Sequence, residues 1–521
     1  MVRPRLLQWL LCVAAVLACG AARAAADGQA ILDKATDIKL SAESVADLNE
    51  VIKLCQDAIE AGLDEGNTKF AKGLLASTLT QRAEMICLEL FERPVDPARA
   101  RKLVQMAVSD LEETIRLDAN QAEAQYLLGR LNAHLGETKK ALQALDEAIR
   151  LTEDDPLAKA KSLMIRANLR QDPKLRLADF DEAVKLTPRD PNVLRYRGMF
   201  HLTQNHLDAA TADLTAAIEL DPKDADTYEA RGIALALAQK YDESMESFSR
   251  AIELQPDSVA AYVHRGRIRA IKGDVPAALR DVEHALKLQP GAVQALQLHA
   301  SLLGSAGKYD QALVDLNALR EAMPDNPEVL TQIAAVYQAS KQLHKAVATY
   351  DHLLKNDPKN VIAYRGRADS YLSLGKQVES IADYEAALKI EPNNSGVLNN
   401  LAWVLATSPD MNLRNGKRAV ELAKVAAEAT DYKQAHILST LAACYAETGD
   451  FETAVNWSKK AVEIGTEQLK GQLTKELESY QAQQPWRETV PPADEPALQT
   501  AQPEKGSAPA SDDTARSKRG S

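Results

Sequence analysis

A chain of 521 residues is too long for one globular core, because single cores stop growing well below that length. Hydrophobic residues make up 45% and aromatics only 5%, a balance that suits close-packed helices and argues against a β-rich interior. With 74 acidic against 62 basic residues the formal charge is −12, so a polyanion is repelled and nucleic-acid binding is disfavoured.

The start reads as an export signal over residues 1–26: Arg3 and Arg5, an apolar run from Leu6 to Ala18, then Ala24-Ala25-Ala26 before Asp27. Its removal takes away three arginines and no acid, deepening the negative charge. The run is too short to span a bilayer, and no later segment is apolar enough to do so. Within it, Val16-Leu17-Ala18-Cys19-Gly20 resembles a bacterial lipobox, which gives a second reading: cleavage before Cys19 and lipidation of that cysteine. Either way the expected location is exported, in the periplasm, cell envelope or surroundings of a bacterium. Cys55, Cys87 and Cys444 remain, an odd count that cannot form a fully paired framework. On two antiparallel helices Cys55 and Cys87 are displaced by roughly 20 Å along the axis, so these cysteines are expected in the core, unbridged.

Residues 27–120 are helical but irregular. The stretch from 43 to 61 places Val51, Cys55, Ala58 and Ile59 on one face and reads as a lone helix. Helices near 69–91 and 99–117 follow, joined by a long connection holding Pro94 and Pro97. Residues 121–190 hold two further pairs, one with Glu153 where a proline is expected and one about three residues short at Asp172-Pro173.

The regular part spans 191–394. Pro188, Pro222, Pro256, Pro290, Pro324, Pro358 and Pro392 recur every 34 residues, and a constant period of that size marks stacked repeats. Within each period a small residue (Gly198, Gly232, Gly266, Ala300, Ala334, Ala368) is followed by small or apolar residues such as Ala210, Leu214 and Ala217. Asn205, Gln239, Gly273, Gly307, Lys341 or Gly375 stands between the two helices, where Gly or Asn suits a left-handed helix end. Residues 395–488 continue the pattern with about five extra residues near Met411, a last unit around Ala442 and Ala454, and a capping helix ending at Tyr480 and Pro485-Trp486-Arg487-Glu488. Residues 489–521, rich in Pro, Ala, Ser and Gln, are expected to be disordered.

This period and spacing resemble the tetratricopeptide repeat (TPR) family, in an exported bacterial form. The resemblance implies an all-α fold: a right-handed α-solenoid of about nine stacked helix-turn-helix repeats, binding a protein or peptide partner on a concave surface lined by first helices. Carried onto this chain, that surface is Arg195, Met199, Glu229, Ile233, Arg267, Gln297, Ser301, Arg365 and Asp369, with Asn399 and Asn400 as a polar addition and Trp403 as either groove or core. The lysine and asparagine clamp by which some members hold a terminal carboxylate is not reproduced.

The sequence offers no catalytic constellation. The histidines are scattered, with no His-Glu-x-x-His and no Cys-x-x-Cys, and Gly304-Ser305-Ala306-Gly307-Lys308 departs from a phosphate loop at Leu302 and Tyr309. No cofactor, no metal and no enzyme activity are expected. The function expected is an interaction scaffold; a lipid-anchored envelope assembly factor and a non-catalytic accessory subunit of an enzyme complex are the alternatives. Arginine precedes the small residue at Arg82, Arg166, Arg197, Arg231, Arg265 and Arg367, and aspartate recurs late in the second helix at Asp110, Asp179, Asp213, Asp281, Asp315 and Asp383. This predicts pairs within repeats, Arg197 with Asp213, Arg265 with Asp281 and Arg367 with Asp383; arginines pointing unpaired into the groove would instead read an acidic ligand.

Overall fold

The 34-residue period becomes helix pairs. The computed structural model describes residues 26–92 and 95–489, and every regular element there is an α-helix. Residues 1–25 of the export signal, Cys19 among them, Pro94 and the stretch from 490 onward lie outside the described residues. The chain divides into two units, residues 1–268 and 269–521, each taken by itself below; the boundary falls within the helix Val259–Ile271.

In the first unit a helix over 26–41 packs on Val45–Ala61, burying Leu32 and Ala35 against Ala58, Val51 and Cys55. The stretch from 43 to 61 is therefore not a lone helix. The stripe of Ile31, Leu32, Ala35 and Ile38 is short, and only the helix that covers it shows its purpose. Five pairs follow: Glu65–Glu92 with Pro97–Leu117, Ala122–His134 with Thr138–Leu151, Pro156–Leu169 with Pro173–Leu186, Pro191–Thr203 with Leu207–Leu220, and Ala225–Leu237 with Tyr241–Leu254. After the helix Val275–Leu288 the second unit also has five: Val293–Ser305 with Tyr309–Ala322, Pro327–Ala339 with Leu343–Asn356, Val361–Ser373 with Gln377–Ile390, Ser395–Thr407 with Gly416–Ala429, and Ala435–Glu447 with Phe451–Ile464. Among the described residues these ten pairs already exceed the nine or so expected, because the irregular units at both ends are also complete pairs. Cys55, Cys87 and Cys444 are buried and unbridged.

Each proline of the ladder follows the end of one helix, and all but Pro290 precede a side-chain cap of the next. Two residues beyond Pro188, Pro222, Pro324, Pro358 and Pro392 stand Asp190, Asp224, Asn326, Asn360 and Asn394, whose side chains accept from the first free amides of the following helix. Ser258 does the same for Ala261 after Pro256. The turn within each pair is equally uniform. Asn205, Gln239, Gly273, Gly307, Lys341 and Gly375 all have φ between 58° and 84°, so Gln239 and Lys341 accept a left-handed conformation that favours glycine.

Where the helices of a pair cross, the first presents almost no side chain. A methyl on Gly198 would meet Leu214 Cγ at 2.8 Å, and one on Gly232 would meet the Phe248 ring at 2.7 Å. Three departures from the period keep this crossing. The short unit ends its first helix at Leu169, three residues past Arg166, where the next repeat continues to Thr203, six past Arg197. The insertion forms the loop 408–415, anchored by Asn415 N–H donating to Leu405 O at 2.9 Å. At the end the helix Glu467–Gln481 covers the last pair, burying Leu473, Glu476 and Tyr480. The chain then turns back: Glu488 N–H donates to Thr407 O at 3.0 Å and Arg487 Nη2 meets Glu447 Oε2 at 2.5 Å.

Gly232→Ala is expected to destabilise the pair 225–254. Phe248 is fully buried and stacked on His264 at 5.3 Å, so its ring cannot retreat. Overpacking of about 1–3 kcal/mol then outweighs the gain of roughly 0.5–1 kcal/mol for alanine in a helix. Amide hydrogen exchange over 225–254 should speed up; unchanged or slower exchange would contradict the crossing geometry.

Candidate partner-binding groove

The arginines are the first groups to place. Arg197 Nε and Nη2 donate to Asp213 Oδ2 and Oδ1, both at 2.7 Å, and Arg367 binds Asp383 in the same bidentate way at 2.7 Å. Arg166 takes Asp179 and Arg82 takes Asp110 likewise. The residues of the third expected pair, Arg265 and Asp281, fall in different units; within its own unit Asp281 meets Arg269 at 2.7 Å. At Asp315 the partner is His299 Nδ1, at 2.8 Å.

A second acid, missed in the sequence, holds the remaining amine. Arg197 Nη1 donates to Asp181 at 3.0 Å, Arg166 Nη1 to Asp146 at 2.7 Å, and Arg367 Nη1 to Asp351 at 2.5 Å, each acid lying on the second helix of the preceding repeat. Each arginine thus ties its own repeat to the one before. Acceptance by Asp213 raises the Arg197 guanidinium above its ordinary value, and acceptance by Asp383 does so for Arg367. The signal was in the sequence: Asp181 follows Asp179 by two, and Asp351 and Glu385 hold the same place in later repeats. These arginines are structural and are not offered to a ligand.

Most of the predicted groove residues gather in cavities. In the first unit Arg195, Met199, Glu229 and Ile233 line one space of about 500 Å³, floored by Phe180 and Phe200. Arg195 lies 3.5 Å from Asp224 and stacks on Tyr196. Burial pushes the Glu229 carboxyl up, although Ser258 donates to it at 3.1 Å. In the second unit Gln297 and Ser301 line a smaller, mostly apolar space of about 250 Å³ with Ala335 and Val336. Asp369, Asn399 and Asn400 line a third, of about 360 Å³, which Trp403 and the capping helix help to enclose. Arg267 and Arg365 are exposed and line none of the three.

The third cavity holds the most unusual chemistry. Asp369 Oδ1 accepts from Tyr384 Oη and, at 3.2 Å, from Asn400 Nδ2; burial holds its carboxyl above the ordinary range. Glu476 is fully buried, accepting from Ser439 Oγ at 2.5 Å and Gln472 Nε2 at 2.9 Å. Burial pushes it up too, with Glu488 adding to the effect. Trp403 Nε1 donates to Glu488 Oε1 at 3.0 Å, so the indole is both wall and anchor. Glu476 was missed in the sequence, although a glutamate in register with Leu473 and Tyr480 on one helix face was its signal.

Among the described residues no group of three or more His, Cys, Asp and Glu side chains could hold a metal ion, and no helix is long and apolar enough to cross a membrane.

The comparisons agree with this architecture. Profiles described as tetratricopeptide repeat match residues 305–368, residues 99–156, 201–259 and 229–293, and residues 363–394. The chain therefore carries tetratricopeptide repeats in both units. No curated protein matches it. Among solved structures it is similar to a tetratricopeptide repeat protein from Parabacteroides merdae, at 17% identity over 56% of this chain and 98% of that one, TM-score 0.39. YrrB, a TPR protein with an unusual peptide-binding site, is 21% identical over 37% of this chain and 98% of its own, TM-score 0.32. Yeast Tom70 is 15% identical over 88% and 96%, TM-score 0.32.

Two predictions follow from the charges. Arg367→Ala strands Asp383, which is 6% exposed, and is expected to cost about 3 kcal/mol. Asp351→Ala, at a half-exposed partner, should cost under about 1 kcal/mol. Urea midpoints separate the two, and equal losses would show that the buried pair is not the stronger tie. For Glu476, a folded pKa above the ordinary 4.5 means that the folded chain keeps its proton longer than the unfolded chain. Stability is then intact below that value and falls as pH rises through the raised one. Glu476→Gln should match the parent near pH 4 and exceed it at about pH 8; a variant less stable at both would show that the carboxylate is held ionised.

Proposed function

We infer that this protein is a non-catalytic scaffold that binds a protein or peptide partner along the faces of its first helices. The observation that carries this reading is the gathering of first-helix side chains from successive repeats into preformed cavities, such as that of Arg195, Met199, Glu229 and Ile233. The ladder arginines are satisfied internally, so the groove offers mixed polar and apolar contacts without one charge sign. The leader residues Arg3 to Ala26 support export, which puts the partner in the envelope or outside the cell. The sequence around Cys19 supports a second reading, an envelope assembly factor held by lipid. Incorporation of labelled fatty acid that is lost in Cys19→Ser favours the lipid-held form, and its absence favours a soluble exported one.

Crosslinked pull-down with the chain lacking residues 1–26, from the envelope fraction of its own bacterium, tests the scaffold. A partner should be retained, and should be lost when Arg195→Glu and Met199→Ala are combined, while Arg250→Ala in the exposed pair with Glu253 keeps it. Recovery of this chain alone, or a partner indifferent to the groove changes, would count against the reading.

A further inference from the structure

The cavity beside the capping helix differs from the other two in carrying carboxyl groups with no lysine or arginine beside them. Its lining carries two carboxyl groups, Asp369 and Glu476, and no lysine or arginine; His436 is its one basic side chain, and it is exposed. Neither carboxyl group has an ion-pair partner within 4 Å among the described residues. Arg365 acts on Asp369 through space, but it is exposed and outside the lining. Both donors to Asp369 go to Oδ1, which leaves Oδ2 without one. Beside it, Asn399 is 7% exposed and lines the same cavity, and its Oδ1 is buried with no donor. Its amide is not free to turn, because Nδ2 donates to Asn400 Oδ1 at 3.2 Å. A buried acceptor without a donor is costly, and so is a buried carboxyl group without a cation. The two residues line the same cavity and are linked through Asn400, and the same kind of group relieves both.

From this arrangement we propose that the cavity is a subsite for one basic side chain of the partner, with arginine preferred over lysine. The proposal rests on the scaffold reading above and names the chemistry that one of its cavities selects. Acceptors from two residues, Asp369 and Asn399, in one cavity call for a guest with several donors in one plane, which a guanidinium offers and a compact ammonium does not. Trp403 adds an aromatic face, held in place by its bond to Glu488, on which a guanidinium can stack. Glu476 lies behind Ser439 and Gln472 as a buried group in the floor; it acts on the guest by charge and not by contact. At about 360 Å³ the space admits a side chain and excludes a folded element. Internal pairing explains Arg82, Arg166, Arg197 and Arg367, but it gives no account of an acceptor-lined cavity with no cation in its wall.

The probe is a capped tripeptide, acetyl-Ala-Arg-Ala-amide, against the same peptide with citrulline, which keeps the shape and loses the charge. Binding to the chain lacking residues 1–26 is read by ligand-detected NMR and by tryptophan fluorescence. The arginine peptide should bind at least about tenfold more tightly than the citrulline peptide, as expected for hydrogen bonds to a charged group. Asp369→Asn should remove most of that preference, and Arg250→Ala should leave it intact. If Asp369→Asn fails to fold, Glu476→Gln, isosteric and expected to be folded, serves instead and should reduce the preference. Equal binding of the two peptides, no binding of the arginine peptide at millimolar concentration, or an unchanged preference in a folded variant overturns the proposal. The scaffold reading fails separately: a pulled-down partner lost with the Arg195→Glu and Met199→Ala change but kept with Asp369→Asn sinks only the arginine subsite.

Discussion

Two helices can approach closely only where one of them has almost no side chain, and the rest of this structure is registered on that contact. Gly198 faces Leu214 and Gly232 faces Phe248, each 16 residues on. One residue earlier on both helices of the contact, Arg197 reaches Asp213, so the crossing and the ion pair are set by one geometry. In the short unit the arginine-to-aspartate spacing falls to 13, in the first pair it rises to 28, and the bidentate contact survives both. Helix length is therefore subordinate to the crossing. A first helix that ends three residues sooner after its arginine, or two helices that are both longer, absorbs the difference, because a buried contact is costly to lose.

The arginines then solve a second problem, which is how to join repeats that share no covalent staple. A guanidinium has enough donors for two carboxylates, and here one acid comes from its own repeat and the other from the repeat before. The buried acid is the costly one to strand and the exposed acid is nearly free, so the ladder acts more as a register mark than as a source of stability. Because these cations are consumed internally, the binding faces are left to other residues. Most of the surface is mixed, and the C-terminal cavity is the acidic exception.

That cavity exists because the array ends. Inside the array a first-helix face is followed by another repeat; at the end it is followed by Glu467–Gln481 and by the returning Trp486-Arg487-Glu488, which bond to Ala406, Thr407 and Glu447. A terminal helix must hide the last apolar face from water, and this one also brings Glu476 beside Asp369 and Asn399. The termination device and the candidate arginine subsite are thus one piece of structure.

The 34-residue ladder, the small residues at the crossings, the left-handed turns and the arginine and aspartate spacings were legible in the sequence, because each is a local requirement met by a residue type at a fixed distance. The first-helix positions of Arg195, Met199, Glu229 and Ile233 were legible from the period, and these four side chains line one cavity. The helix over 26–41 was not, since a short apolar stripe has no meaning until Val45–Ala61 covers it. The second acids at Asp146, Asp181 and Asp351 recur in the sequence, but only the stacking shows that they act across repeats and not within one. The same holds for the pairing of Trp403 with Glu488, 85 residues apart, and for the placing of Asp369 and Glu476 around one cavity. By itself the sequence determined what each repeat is, since periodic local rules are written residue by residue. Only the tertiary structure decided which polar groups find a partner and which line a cavity, since that depends on neighbours brought together by the stacking and by the helix Glu467–Gln481 that closes it.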